Sequence, residues 1–352
     1  MTQLILRRLG SAILTIVLAS LLVFLAVQAL PGDVAQQILG RDATAESIAK
    51  MRAELGLDTP VLLRYVQWLF GAVQGDFGTS MVSGEPVGPT LLVHFRNTLL
   101  IAIPTVLIAV TLSILLGVFA GLRRNKWEDH SISLISLVAM SIPEFMMGAL
   151  LVLAFAIGIP LFPAVVLDGP SATVAELLPS IWLPVIVLSL AMAAYVIRMT
   201  RTSTIDVMTS DFITTAQLKG LRESRVVLRH ALPTAMLPTL NVVAINIAWM
   251  LGGVVVVENI FNYPGMGNLM LEAVFNRDLP IIEAVAVVSA TVYVACNLAA
   301  DLTAMLLDPR QRLAKGSKRK AKATTPAAGQ PPGTTGPAAG SRATATGEGI
   351  QP

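Results

Sequence analysis

Few side chains in this 352-residue chain can do chemistry, and their spacing argues against catalysis. His94, His130 and His230 are far apart and lack the H-E-x-x-H spacing that lets two imidazoles hold zinc. No G-x-S-x-G elbow presents a nucleophilic serine. The dipeptide Gly-Lys is absent, so no P-loop cradles nucleotide phosphates. An intramembrane protease, the enzyme alternative, needs a Ser–His or Asp–Asp pair at membrane depth. His94 and His130 instead fall near the ends of apolar runs, and His230 lies in a loop. No catalytic residue, metal ligand or bound cofactor is expected. What remains are isolated polar groups within apolar sequence. Glu144 lies near the middle of such a run, where a carboxylate is costly and by default functional or paired. It reads either as an acid lining a polar path and meeting a cationic group, or as a hydrogen bond inside a helical bundle. Asn246 is a weaker path candidate, and Asn241 points in a different direction. Arg198 and Asp301 fall near run ends and read as an ion pair or as interfacial anchors.

The most ordered polar stretch is 201–235. Ser210 suits a helix N-cap and Asp211 the first turn. The run from Phe212 through Thr215 and Ala216 to Lys219 predicts a short helix, with Gly220 as its stop. A second piece, Glu223–Leu232, carries Arg225 and Arg229 one turn apart, and Pro233 and Pro238 are expected to close it. A short capped helix lying parallel to a membrane has the shape of an element that docks into a partner's groove. A plain interfacial connector is the simpler reading.

The elements that must position these residues follow from composition. Hydrophobic residues make up 54% of the chain and charged residues 13%. Soluble domains are about a quarter charged, so bilayer is the natural solvent here. The net charge of +3 is scattered rather than gathered on one face, which argues against nucleic acid. Cys296 stands alone in an apolar run and reads as a small buried side chain. A membrane span needs about 20 apolar residues. Six runs qualify: Leu9–Leu30, Thr98–Leu122, Ile132–Ile159, Leu178–Met199, Leu237–Val257 and Pro280–Leu307. Val27-Gln28-Ala29 weakly resembles a cleavage site, but the first run exceeds the roughly 7–15 apolar residues of a signal peptide. Gly117, Gly121, Gly148, Gly252 and Gly253 read as close helix packing, and Pro104, Pro143 and Pro184 as kinks. The predicted fold is all-α, a polytopic bundle of six transmembrane helices.

Lys and Arg set the orientation. They crowd the segments before the first span, between the second and third, between the fourth and fifth, and after the sixth. The segment Pro160–Leu177 has none, and Glu258–Leu279 has only Arg277. Both termini are therefore expected in the cytoplasm. The region 31–97 holds five basic and seven acidic residues and is expected outside, as short helices near Ile48–Leu55 and Tyr65–Val73. These read as a scaffold for an external partner or a lid on the bundle. The tail 315–352 is Lys/Arg-rich, then rich in Ala, Thr, Gly and Pro, and is expected to be disordered. Its cluster Lys315–Lys322 reads as a contact with anionic membrane lipid or as a stop-transfer flank.

Ala216, Gly220 and Leu232-Pro233 keep the spacing of the loop signature E-A-A-x₃-G-x₉-I-x-L-P of ABC importer permeases. Thr214-Thr215 replaces Glu-Ala and His230 replaces Ile. Further matches run in family order: Arg7-Arg8-Leu9, Leu30-Pro31-Gly32-Asp33, Leu55-Gly56-Leu57-Asp58, 75–80, Ser141-Ile142-Pro143, 259–267 and Leu307-Asp308-Pro309-Arg310. On these the chain resembles the B-type permeases of dipeptide/oligopeptide importers, a branch that also carries nickel chelates, opines and some sugars. The resemblance implies a type I permease fold, with the 98–310 core forming half of a translocation pathway. It implies a C-type permease as heterodimer partner and an extracytoplasmic solute-binding protein that delivers cargo. Two ABC ATPases would use ATP and Mg, and the inner membrane is the expected site. Asp211–Gly220, with Arg225 and Arg229, would couple to an ATPase. Pro264, Gly265 and Gly267 would form a tight turn at the outer rim.

Overall fold

The computed structural model describes residues 2–28, 36, 39, 43–54, 56 and 58–307, with side chains throughout except at 2–5, 248, 251 and 300–307. The expectations for the Leu30–Asp33 motif, the side chain of Asp301, the Asp308–Arg310 motif and the tail 315–352 lie outside the described residues. The described chain is helical. Its elements are α1 (Thr2–Gln28), α2 (Ala45–Glu54), α3 (Val61–Val73), α4 (Val87–Leu122), α5 (Trp127–Ser141), α6 (Glu144–Val152), α7 (Val174–Leu177), α8 (Trp182–Met208), α9 (Asp211–Leu218), α10 (Glu223–Val226), α11 (Leu232–Ile260), α12 (Met266–Asn276) and α13 (Leu279–Leu307). Five stretches are long and apolar enough to cross a membrane: Leu6–Gln28, Val87–Leu122, Trp182–Met208, Glu223–Ile247 and Leu279–Ala299.

The third expected span is broken. α5 and α6, the latter extended by a π-turn over Leu153–Gly158, meet at an angle of 104°. The cause is local. Proline disfavours helical geometry in the preceding residue, and Ile142 is extended at φ −91°, ψ 122°. Pro143, lacking an N–H, then leads into α6. α5 has 15 residues, about 22 Å at 1.5 Å per residue, too short to span alone. The pair counts as one span only if taken together. The expected kink is thus a full break, and Glu144 stands at the start of a half-helix, not within a continuous one.

α8 is the buried axis, packed against α4, α11, α5 and α6. Its closest neighbour is α4, because a Cβ on Gly117 would lie 2.5 Å from Thr200 Cβ and one on Gly121 2.7 Å from Thr204 Cβ. Between membrane helices, where lipid is as apolar as leucine, such small-residue contacts supply the packing energy. Around α8 gather Ile101, Leu183, Leu188, Val254, Val257, Phe261 and Tyr263. α1 packs on α13. α3 lies against α1, not across the bundle: the Tyr65 hydroxyl donates to Val17 O at 3.1 Å and meets Ser20 Oγ at 2.7 Å.

A polar cluster fastens one end. Glu258, fully buried, accepts from Thr98 Oγ1 at 2.6 Å and from the N–H groups of Gly267 (2.6 Å) and Asn268 (3.3 Å). Those amides open α12, so a carboxylate on α11 caps α12 and meets its positive end. Asn97 donates to Pro170 O and Pro264 O, and Tyr263 donates to Asn97 O at 2.9 Å. Toward the other end Asp129 accepts from Arg201 Nε and Nη2, the latter at 2.7 Å, and from Asn125 N at 3.0 Å. Whether Arg198 meets Asp301 lies outside the described residues; the ion pair seen at this end is Asp129–Arg201. Arg201 lies about one turn beyond Arg198 on α8.

Candidate functional site: the loop helix and the broken span

The loop helix α9 is held by one face. Ile213 and Ala216 are buried against Val226 and Ala231, with Val207, Met208 and Leu221 at the edge. Asp211, Phe212, Thr215 and Lys219 are exposed, and Leu218 is 84% exposed. Ser210 occupies the N-cap position, but its hydroxyl donates back to Val207 O and caps nothing. The C-terminal stop is as expected. Gly220 has φ +76°, its N–H bonds Gln217 O, and the Leu221 N–H reaches Ala216 O at 3.4 Å. This crossed pair closes the helix over its own apolar side. No neighbour lies within 4 Å of a Cβ built on Gly220, so backbone conformation, not crowding, calls for glycine.

Two expectations for the loop are corrected. Ala216 faces inward and anchors α9, leaving Phe212, Thr215, Leu218 and Lys219 as its outward surface. The second piece does not close before the next span. α10 passes through a π-turn, Val227–Ala231, directly into α11. Pro233 falls directly after the π-turn, at the start of α11, and Pro238 lies inside that helix. Arg225 and Arg229 are exposed on this continuous segment.

At the break of the third span the structure brings Glu144 and Asn246 together. They line one cleft of about 50 Å³ with Leu188, Ala191, Met192, Tyr195, Trp249 and Met250. Glu144 is half-buried. Its carboxylate lies where a Cβ on Gly253 would stand, 2.3 Å from Oε2, so glycine there is what admits the acid. Asn246 Nδ2 donates to Val242 O at 2.8 Å. Asn241, exposed, is not part of the lining.

Pro264, Gly265 and Gly267, expected in a tight turn at the outer rim, are buried. Cβ atoms on Gly265 and Gly267 would lie 2.0 Å from Glu258 Oε1 and 2.9 Å from Oε2. The turn is glycine-rich to make room for the capping carboxylate. Sequence reasoning missed Glu258, Thr98 and Asn97. Glu258 had a signal, an acid directly before the Asn259–Gly267 motif.

Comparison with known proteins decides the family. Residues 113–313 match the family described as binding-protein-dependent transport system inner membrane component, and 1–114 match its N-terminal companion. The chain belongs to this family. It is 36% identical over 308 residues to a probable peptide ABC transporter permease protein of Sinorhizobium fredii, covering 88% of this chain and 98% of that one. It is also 36% identical over 312 residues to the glutathione transport system permease proteins of Salmonella typhimurium and Escherichia coli K12, covering 89% and 99%. The chain is therefore a multi-pass permease subunit of an ABC importer with the type I permease fold. It is not an enzyme, and ATP hydrolysis belongs to a separate subunit.

Proposed function

We propose that this permease forms half of a translocation pathway for di- and oligopeptides in a bacterial inner membrane. Its other half is a C-type permease, cargo arrives on a solute-binding protein at the Glu258 end, and two ATPases using ATP and Mg sit at the Asp129 end, in the cytoplasm. Relatives named for peptide and glutathione transport support a peptide-class cargo. The observation that carries the mechanism is the form of α9. One face is locked to the permease by Ile213 and Ala216, and the other presents Phe212 and Leu218 to solvent with Thr215 and Lys219. Exposed apolar side chains on a rigid eight-residue helix are suited to a partner's cleft. Because α10 runs unbroken into α11, a push on this loop is carried straight to the helix that lines the Glu144 cleft. ATP binding in the partner would then bias the permease between two arrangements through its differential grip on α9.

The test is co-purification. Phe212→Asp with Leu218→Asp leaves the buried face intact and is expected to abolish retention of the ATPases while the partner permease stays bound. Full retention of the ATPases by this variant would refute the coupling role.

A further inference from the structure

We propose that the cleft at the broken span is a cation site that selects cargo carrying a protonated amine. The inference rests on the permease reading above and adds a chemical class to its pathway. Four observations converge. First, Glu144 is the one carboxylate lining the cleft, and among the described residues no group donates a hydrogen bond to it. The structural hydrogen bond of the alternative reading is not made among the described residues, and the carboxylate is left in the cleft lining. Second, Tyr195 and Trp249 line the same cleft and are 49% and 80% exposed, so aromatic surface is open to an incoming cation. A carboxylate beside indole and phenol rings is the chemistry that binds ammonium groups, through charge on one side and the ring quadrupole on the other. Third, Asn246 adds a polar group, and Met192 and Met250 supply soft apolar walls that tolerate varied side chains. Fourth, the acid sits where the helix is interrupted. Interrupted helices at membrane depth are tolerated where they line a cavity, and there they free polar groups for a solute. Gly253 completes the device, since any side chain at that position would push the carboxylate out.

The experiment uses the assembled complex in vesicles, with Cys296→Ser to remove the chain's own thiol and Ala191→Cys to place a probe in the cleft. Modification is followed with a trimethylammonium-bearing and a sulfonate-bearing methanethiosulfonate, each rate divided by that of free mercaptoethanol. The expected cation preference is roughly tenfold above the free thiol, falling to the free value on Glu144→Gln and part-way on Trp249→Leu. In parallel, Glu144→Gln is expected to lower trialanine uptake several-fold while binding-protein-stimulated ATP hydrolysis persists. A preference unchanged by Glu144→Gln overturns the site, and unchanged trialanine uptake overturns its link to cargo. Vesicles of the Cys296→Ser, Ala191→Cys protein with Glu144 intact that show the cation preference yet accumulate no trialanine would count against the peptide reading alone.

Discussion

Glu258 has no polar neighbour in sequence that explains it. Its ligands are Thr98, 160 residues earlier, and two amides in the next helix. A buried carboxylate with three donors is satisfied, but losing it leaves a hydroxyl and two amides orphaned. Glu258→Ala is therefore expected to destabilise by about 2–4 kcal/mol, read as a lowered melting temperature in detergent. Gly265→Ala drives a methyl into the same carboxylate and should cost a comparable amount. Because both act on one contact, the double variant should fall well short of the sum. Full additivity would mean that the turn and the acid act independently. At the other end, Asp129→Asn is expected to cost about 1–3 kcal/mol by removing the charge that meets the Arg201 fork. Neither contact was legible in the sequence, because each joins residues that only the bundle brings together. Glu144 was legible, since any lone acid in an apolar run is conspicuous, but its cleft partners Tyr195 and Trp249 were not.

Elements whose reasons are local were read well. α9 ends where Gly220 supplies a left-handed residue, and α2 ends before Gly56, also at positive φ. The break before Glu144 follows from Ile142-Pro143, though the sequence marked a kink there and not its 104° size. The π-turn that fuses α10 to α11 was invisible, because two prolines nearby suggested a stop. Gly220 offers a test of the loop as a unit. Valine at φ +76° carries a strain of about 1–3 kcal/mol, whereas asparagine adopts that conformation readily. Gly220→Val is expected to uncouple ATP hydrolysis from uptake and Gly220→Asn to preserve coupling, both measured in sealed vesicles. Equal behaviour of the two would separate coupling from the backbone geometry of this stop. Ala216→Trp should act differently, dislodging α9 from Val226 and Ala231 and reducing yield of the folded loop itself.

Across the molecule, contacts sort the connections into two groups without reference to charge. Pro170, Pro264 and the opening of α12 meet around Asn97 and Glu258, and Ser80 bonds Asp278, the residue directly before α13. Asn125, Asp129 and Arg201 meet beyond the far end of α4, and α9 follows from α8 on that side. From Thr98 to Gly121 is 23 residues of helix, about 34 Å, enough to hold the groups on opposite faces of a bilayer. Counting basic residues divides the same loops the same way, with the basic group at Asp129. Two independent signals, packing and charge, thus agree on which loops share a face, while charge alone says which face is cytoplasmic. Reporter fusions after Arg124 and after Gly220 are expected to read cytoplasmic, and fusions at Gly78 and Pro170 external. A mixed result within either group would break the fold's two-ended arrangement. A clean inversion would keep the fold and remove the coupling role, since no cytoplasmic ATPase could then reach α9.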